Sequence, residues 1–178
     1  MYQTVIKFWF EEIQPSQWFK SEPELDLLIR ERFTDLLVQA KRAELFSWRD
    51  NAMGRLAEII LLDQFSRNIF RGHAEAFSAD SLALVLAQEA IRNGCDKDLA
   101  PHMRAFCYLP YMHSESSVIH QEALKLFNQP GLEGNLEFEI KHKAIIDRFG
   151  RYPHRNQVLG RSSTAEELDF LMLPGSSF

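Results

Sequence analysis

GRLAEIILLDQFSRNIFRG, residues 54–72, decides the fold. Its first half is apolar almost all round, as a helix buried on every side would be, and Gly72 marks its stop. At about 100° per residue, Leu56, Ile60, Asp63, Arg67 and Arg71 fall on one face. An apolar stripe that runs straight into three charged residues is not an ordinary solvated face, so Asp63, Arg67 and Arg71 are expected to be buried. Asp63 and Arg67 stand four apart and can pair, leaving Arg71 with spare donors. Gln64 and Asn68 flank the same edge. These five residues are candidate ligand contacts; the bland alternative is an internal ion-pair cluster that fixes helix packing.

The same period governs the rest of the chain. TVIKFWFEEI opens a first helix. PELDLLIRERFTDLLVQAKRA is a second, with Pro23 near its start and a stripe through Leu25, Leu28, Phe33, Leu36 and Leu37. SADSLALVLAQEAIRNG has start signals in Ser78 or Asp80 and a stop in Gly94, and DLAPHMRAFCYL tolerates Pro101 in its first turn. SESSVIHQEALKLF and NLEFEIKHKAIIDRFG follow, and STAEELDFL carries a capping box in Thr164 and Glu167. No segment alternates apolar and polar residues as a strand would. The expectation is an all-α fold, one compact domain over 1–178 with about seven to nine short helices and no visible repeat.

Bulk properties narrow the function. The chain has 178 residues, enough for one sizeable core, and 46% hydrophobic with 25% charged residues is ordinary for a globular protein. A net charge of -5 argues against a general nucleic-acid binder. Cys95 and Cys107 make no disulfide framework, which fits a reducing cytoplasm. The opening MYQTVIKFWFEEI lacks a secretory pattern, and no stretch approaches the roughly 18 apolar residues that span a bilayer. A cytoplasmic protein without nucleic-acid or membrane partners is expected; the oligomeric state stays open.

Positive charge is concentrated late in the chain. Residues 141–161 hold six Lys or Arg against the single acid Asp147. Within them, RFGRYPHRN (148–156) places Gly150 as a helix stop and Pro153 in the first turn of a new helix. His154, Arg155 and Asn156 would then lie at a helix N-terminus, where free N–H groups and Arg donors favour an anion. Arg148, Arg151, Arg155 and Asn156 therefore join the candidate ligand contacts, with structural capping and acid pairing as the alternative. Upstream, Phe138, His142, Ile145 and Phe149 form one apolar stripe, so His142 reads first as a core histidine. In LPYMHSESSVIHQE, Ser114 reads as an N-cap, and His113 with Glu115 as a proton-transfer pair if they line a cavity. Their spacing fits no zinc pattern, so neither metal nor cofactor is expected. His113, Glu115, His142 and His154 are the candidate acids and bases.

Three stretches together, LLDQFSRNIFRG, YLPYMHSE and RFGRYPHRN with its following VLGR, resemble the bacterial domain-of-unknown-function 924 family (DUF924), as do FWF near the start and WF ten residues on. The resemblance runs from about Val5 to Leu171. It implies a tetratricopeptide-repeat-like, all-helical superhelix, and it implies no activity. The matching positions are Asp63, Gln64, Arg67, Asn68 and Arg71, then His113, Ser114 and Glu115, then Arg148, Arg151, His154, Arg155, Asn156 and Arg161. One departure is Ser66, where the family has Pro. Two readings follow. The first is a pocket lined by Arg and His that binds a small anionic molecule, with chemistry on it left open. The second is a helical-repeat scaffold holding a peptide or protein partner in a groove. Arginines and histidines around one closed cavity favour the first.

Overall fold

The computed structural model describes residues 1–177 and contains no strand among them. Helices α1 (Tyr2–Lys7), α2 (Pro23–Lys41), α3 (Ala52–Ile60) and α4 (Ser66–Ile69) form the first half. Helices α5 (Asp80–Arg92), α6 (Pro101–Met112), α7 (Ser117–Phe127), α8 (Glu133–Phe149) and α9 (Ala165–Leu171) form the second. The all-helical fold expected from the 3.6-residue period is the fold observed. None of these helices is long and apolar enough to cross a membrane.

α3 is the hub, packed by α1, α5 and α6, which explains an apolar sequence on every side. Asn51 starts it by accepting a hydrogen bond from Gly54 N at 3.0 Å. Gly54 is required there, because a Cβ would stand 1.9 Å from the Trp48 carbonyl oxygen. Around α3 lie Phe8, Trp9, Phe33, Phe65 and Phe106, all essentially inaccessible to water. Burying such side chains contributes about 1.5–3 kcal/mol each. Beyond the hub, α5, α6, α7 and α8 each pack on the next. A second, smaller apolar cluster of Ile145, Ile146 and Tyr152, with Phe149 and Phe170, seats the C-terminal segment.

Several local expectations need correction. Between α3 and α4, Leu61–Phe65 forms a π turn, with Ser66 N bonded to Leu61 O. A π turn takes one residue more than an α turn, so the face beyond it rotates by about 100°. Asp63 stays buried, Arg67 is half-buried, and Arg71 is turned to the surface with 41% of its side chain exposed. In α2 the buried row runs through Leu25, Asp26, Ile29 and Phe33, leaving Leu28 exposed. In α8, Phe138 is exposed and Glu139 takes the inward place. α6 continues through Pro110 to Met112. The N-cap of α7 is Ser116, not Ser114. Pro153 begins only a three-residue 3-10 turn, Pro153–Arg155, so no helix N-terminus exists there to hold an anion.

Candidate functional site

The π turn presents Asp63 inward, 1% exposed, where three side chains converge on its carboxylate. Gln64 Nε2 donates to Oδ2, Arg67 Nη1 stands 3.2 Å from Oδ1, and His113 Nδ1 lies 2.7 Å from Oδ1. Burial works to raise the Asp63 carboxyl, but the attraction of His113 and then of Arg67, with the bonds from His113 and Gln64, outweighs it, so the group stays ionised. His113 is lowered from its ordinary 6.5, first by burial and against the pull of Asp63. The 2.7 Å contact to an ionised oxygen puts the shared hydrogen on His113 Nδ1.

Arg67 Nη1 also donates to the Asp63 main-chain oxygen at 2.7 Å, and Nη1 and Nη2 fork onto Asp80, at the start of α5, both at 3.0 Å. Arg155 approaches the same carboxylate from the other side, but its Nη1 reaches Oδ2 only at 3.4 Å. Its Nη2 donates to the His113 carbonyl oxygen at 3.0 Å, and its Nε has no hydrogen-bond partner. The guanidinium lies between the rings of Phe77 (4.7 Å to the centroid) and Tyr152 (4.5 Å). Burial, and then the neighbouring charge of Arg67, lower the Arg155 pKa, whereas Asp63 and Asp80 raise that of Arg67 against its burial. Of the two cations, Arg155 is the under-compensated one.

A third pair closes the edge. Arg161 forks onto Glu115 at 2.6 and 2.9 Å, and Tyr152 N donates to Glu115 Oε1 at 2.8 Å. Burial tends to raise Glu115, but Arg161 and Tyr152 N hold it below the ordinary carboxylate range. Glu115 is thus a fixed acceptor, and the expected His113–Glu115 proton-transfer pair is replaced by His113–Asp63. Tyr152 locks the segment: its hydroxyl donates to Met112 O at 2.5 Å and meets His120 Nε2 at 3.2 Å.

Asp80, His113, Glu115 and Arg155 line one cavity of about 290 Å³, together with Phe77, Ser78, Ser81, Ser114 and Pro110. Asp63 and Arg67 stand behind it, one contact away through His113 and Asp80. A larger cleft of about 560 Å³ lies beside His154, Gln157, Arg161 and Leu168. Its one cation, Arg161, is already held by Glu115, so the smaller cavity carries the more reactive set. An imidazole oriented by a buried carboxylate can accept a hydrogen bond or a proton from a group in that cavity. Among the described residues, no three His, Cys, Asp or Glu side chains are grouped to hold a metal.

The other candidates lie elsewhere. Arg71 and Asn68 both bond Asp26 on α2, with Arg71 Nε to Asp26 Oδ2 at 2.6 Å. Arg148 pairs with Glu166 at the surface. Arg151 forks onto Glu167 at 2.6 and 2.8 Å, and Asn156 reaches Glu167 and Ser163, fastening the start of α9. His142 is buried, bonded through Nδ1 to Phe138 O, and His154 packs against Tyr152. Burial chiefly lowers them to about 3 and about 4. The basic island is therefore not a field of free charge, since its arginines meet carboxylates from Asp80, Glu115, Glu166 and Glu167. Asp80 and Phe77 line the cavity without a sequence signal for it: Asp80 reads only as a helix start, and nothing local distinguishes the two roles.

Comparison with other proteins is consistent with this architecture. The profile of a family described as "Bacterial protein of unknown function (DUF924)" matches residues 5–175. The solved structure of a protein of unknown function from Agrobacterium tumefaciens superposes with a TM-score of 0.91 at 40% identity, covering 96% of each chain. No curated protein matches the sequence.

Proposed function

The chain belongs to the bacterial family of unknown function DUF924, and on its own geometry we propose that it binds a small molecule bearing a carboxylate, phosphate or similar anionic group in the Arg155 cavity. The observation that carries this reading is the state of Arg155. It is 6% exposed, yet its only carboxylate contact is 3.4 Å long and goes to an oxygen that Arg67 already engages. A buried cation so poorly compensated is costly, and an anion in the adjoining cavity would complete it with charge-assisted hydrogen bonds.

The concentration of Arg155, His113 and Asp80 around one half-open cavity of about 290 Å³ favours a small ligand over a peptide. Phe77 offers an apolar wall, so the ligand has a short unsaturated or aliphatic body beside its anionic group. The cavity volume suits a small metabolite.

The test is thermal unfolding in phosphate, sulfate and acetate against chloride at equal ionic strength. A ligand at 100 times its dissociation constant adds about 2.7 kcal/mol. Binding predicts an anion-specific rise in Tm that Arg155→Met removes. A rise that follows ionic strength alone, or one unchanged in Arg155→Met, contradicts the reading.

A further inference from the structure

We infer that the cavity selects, among small anions, those that also carry a hydrogen-bond donor, such as a hydroxy acid, because His113, with an Nε2 that makes no hydrogen bond of its own, lines the same cavity as the Arg155 guanidinium. This deepens the anion-binding reading and rests on it.

The argument is an inventory of protons. Asp63 is surrounded by three donors, Gln64 Nε2, Arg67 Nη1 and His113 Nδ1. An ionised carboxylate has only acceptor sites. The 2.7 Å contact between Asp63 Oδ1 and His113 Nδ1 therefore needs its hydrogen on Nδ1. A neutral imidazole carries one N–H, so with Nδ1 occupied, Nε2 is an acceptor. The charged and titratable groups around His113 are Asp63 from the π turn, Arg67 from α4, Asp80 from α5, His142 from α8 and Arg155 from the C-terminal segment. Burial, and then the charge of Arg67, lower the ring's affinity for a second proton against the pull of Asp63 and Asp80. Among the described residues, Nδ1 is the only ring nitrogen of His113 with a hydrogen bond, and the residue lines the cavity.

Arg155 lines the same cavity, and its Nη2 bonds the His113 main-chain oxygen at 3.0 Å. The cavity thus offers a forked cation and an imidazole acceptor within one lining. A plain carboxylate satisfies the first and leaves the second dry. A carboxylate with a neighbouring hydroxyl satisfies both, donating its O–H to Nε2. An ether in place of that hydroxyl sets lone pair against lone pair. One good hydrogen bond, made or left unmade, is worth about fivefold in affinity.

Glycolate, acetate and methoxyacetate, titrated at equal ionic strength and pH 7.5 with thermal unfolding as readout, separate the possibilities. The expected result is a half-saturating concentration for glycolate at least about fivefold below that for methoxyacetate. In His113→Asn, whose amide still donates to Asp63 but offers no Nε2, that preference should vanish while a shift with acetate remains. Equal responses to all three acids overturn the donor selection and leave anion binding standing. No response to any acid overturns both. Should His113→Asn fold poorly, nitrogen-15 spectra of the wild-type imidazole decide alone. A protonated Nδ1 with bare Nε2 supports the inference, and the opposite tautomer overturns it.

Discussion

Arg155 reaches Asp80 at 3.4 Å from 75 positions away in the chain, on a carboxylate that Arg67 already grips at 3.0 Å through both oxygens. The two arginines therefore differ in kind. Arg67 is a structural cation held between Asp63 and Asp80, whereas Arg155 is a buried cation with a single, long carboxylate contact.

Truncating each one should expose the difference. Arg67→Met removes the cation shared by Asp63 and Asp80, leaving Asp63 to Gln64 and His113 and Asp80 to the long Arg155 contact, and should cost about 3–5 kcal/mol. Arg155→Met places an apolar side chain between Phe77 and Tyr152 and should change stability by less than about 1 kcal/mol. Urea unfolding of both variants checks this; equal losses would mean that Arg155 is as well compensated as Arg67.

Asp63→Ala removes the carboxylate on which Gln64, Arg67 and His113 converge. A loss on the order of 3–5 kcal/mol is expected, because a half-buried guanidinium loses its inner partner. A loss within the range of exposed pairs, below about 1 kcal/mol, would show that this face is solvated.

The position of that face shows what the sequence made legible and what it hid. The apolar first half of residues 54–72 identified a buried helix, and Asp63 falls where the helical wheel put it. Arg71 does not, because the wheel assumed an unbroken α-helix and the π turn at Leu61–Phe65 rotates everything after it. No residue type in LLDQF announces that turn. The acids Asp26, Asp80, Glu166 and Glu167, which neutralise the arginine clusters, come from distant segments and carry no local sign of their pairing. Pro153 reads as a helix start, but the turn it opens ends at Arg155, the chain reverses at the left-handed Gly160, and Tyr152 N is spent on Glu115.

Tyr152→Phe should cost about 1–3 kcal/mol, since it leaves Met112 O and the His120 ring without the hydroxyl in a fully buried setting. The same variant should speed limited proteolysis between residues 150 and 164. Cleavage at the wild-type rate would mean that this contact does not hold the segment.

Acid should weaken the fold before most carboxylates titrate. His142 and His154 are held near 3 and 4, chiefly by burial, and His113 is lowered as well, against an ordinary value of 6.5 for each. Between those values the unfolded chain binds more protons than the folded one. Stability is thus full above pH 6.5 and falls as pH drops toward 4, each group contributing up to about 1.4 kcal/mol per pH unit. Glu139, raised by burial, acts in the opposite sense near its ordinary 4.5. Urea unfolding at pH 7.5, 6.5 and 5.5 should show the decline, and His142→Gln should flatten it; a stability independent of pH over that range contradicts the assignment.

The central claim is that Arg155 anchors an anion, and locating that anion tests it most directly. Crystals grown with chloride as the only anion and soaked in selenate would reveal the ion by anomalous scattering. The account predicts a peak inside the cavity lined by Phe77, His113 and Arg155, within hydrogen-bonding distance of the Arg155 guanidinium, and no such peak in Arg155→Met crystals. Selenate found only at the surface arginines, with the cavity empty or filled by ordinary water, would contradict it.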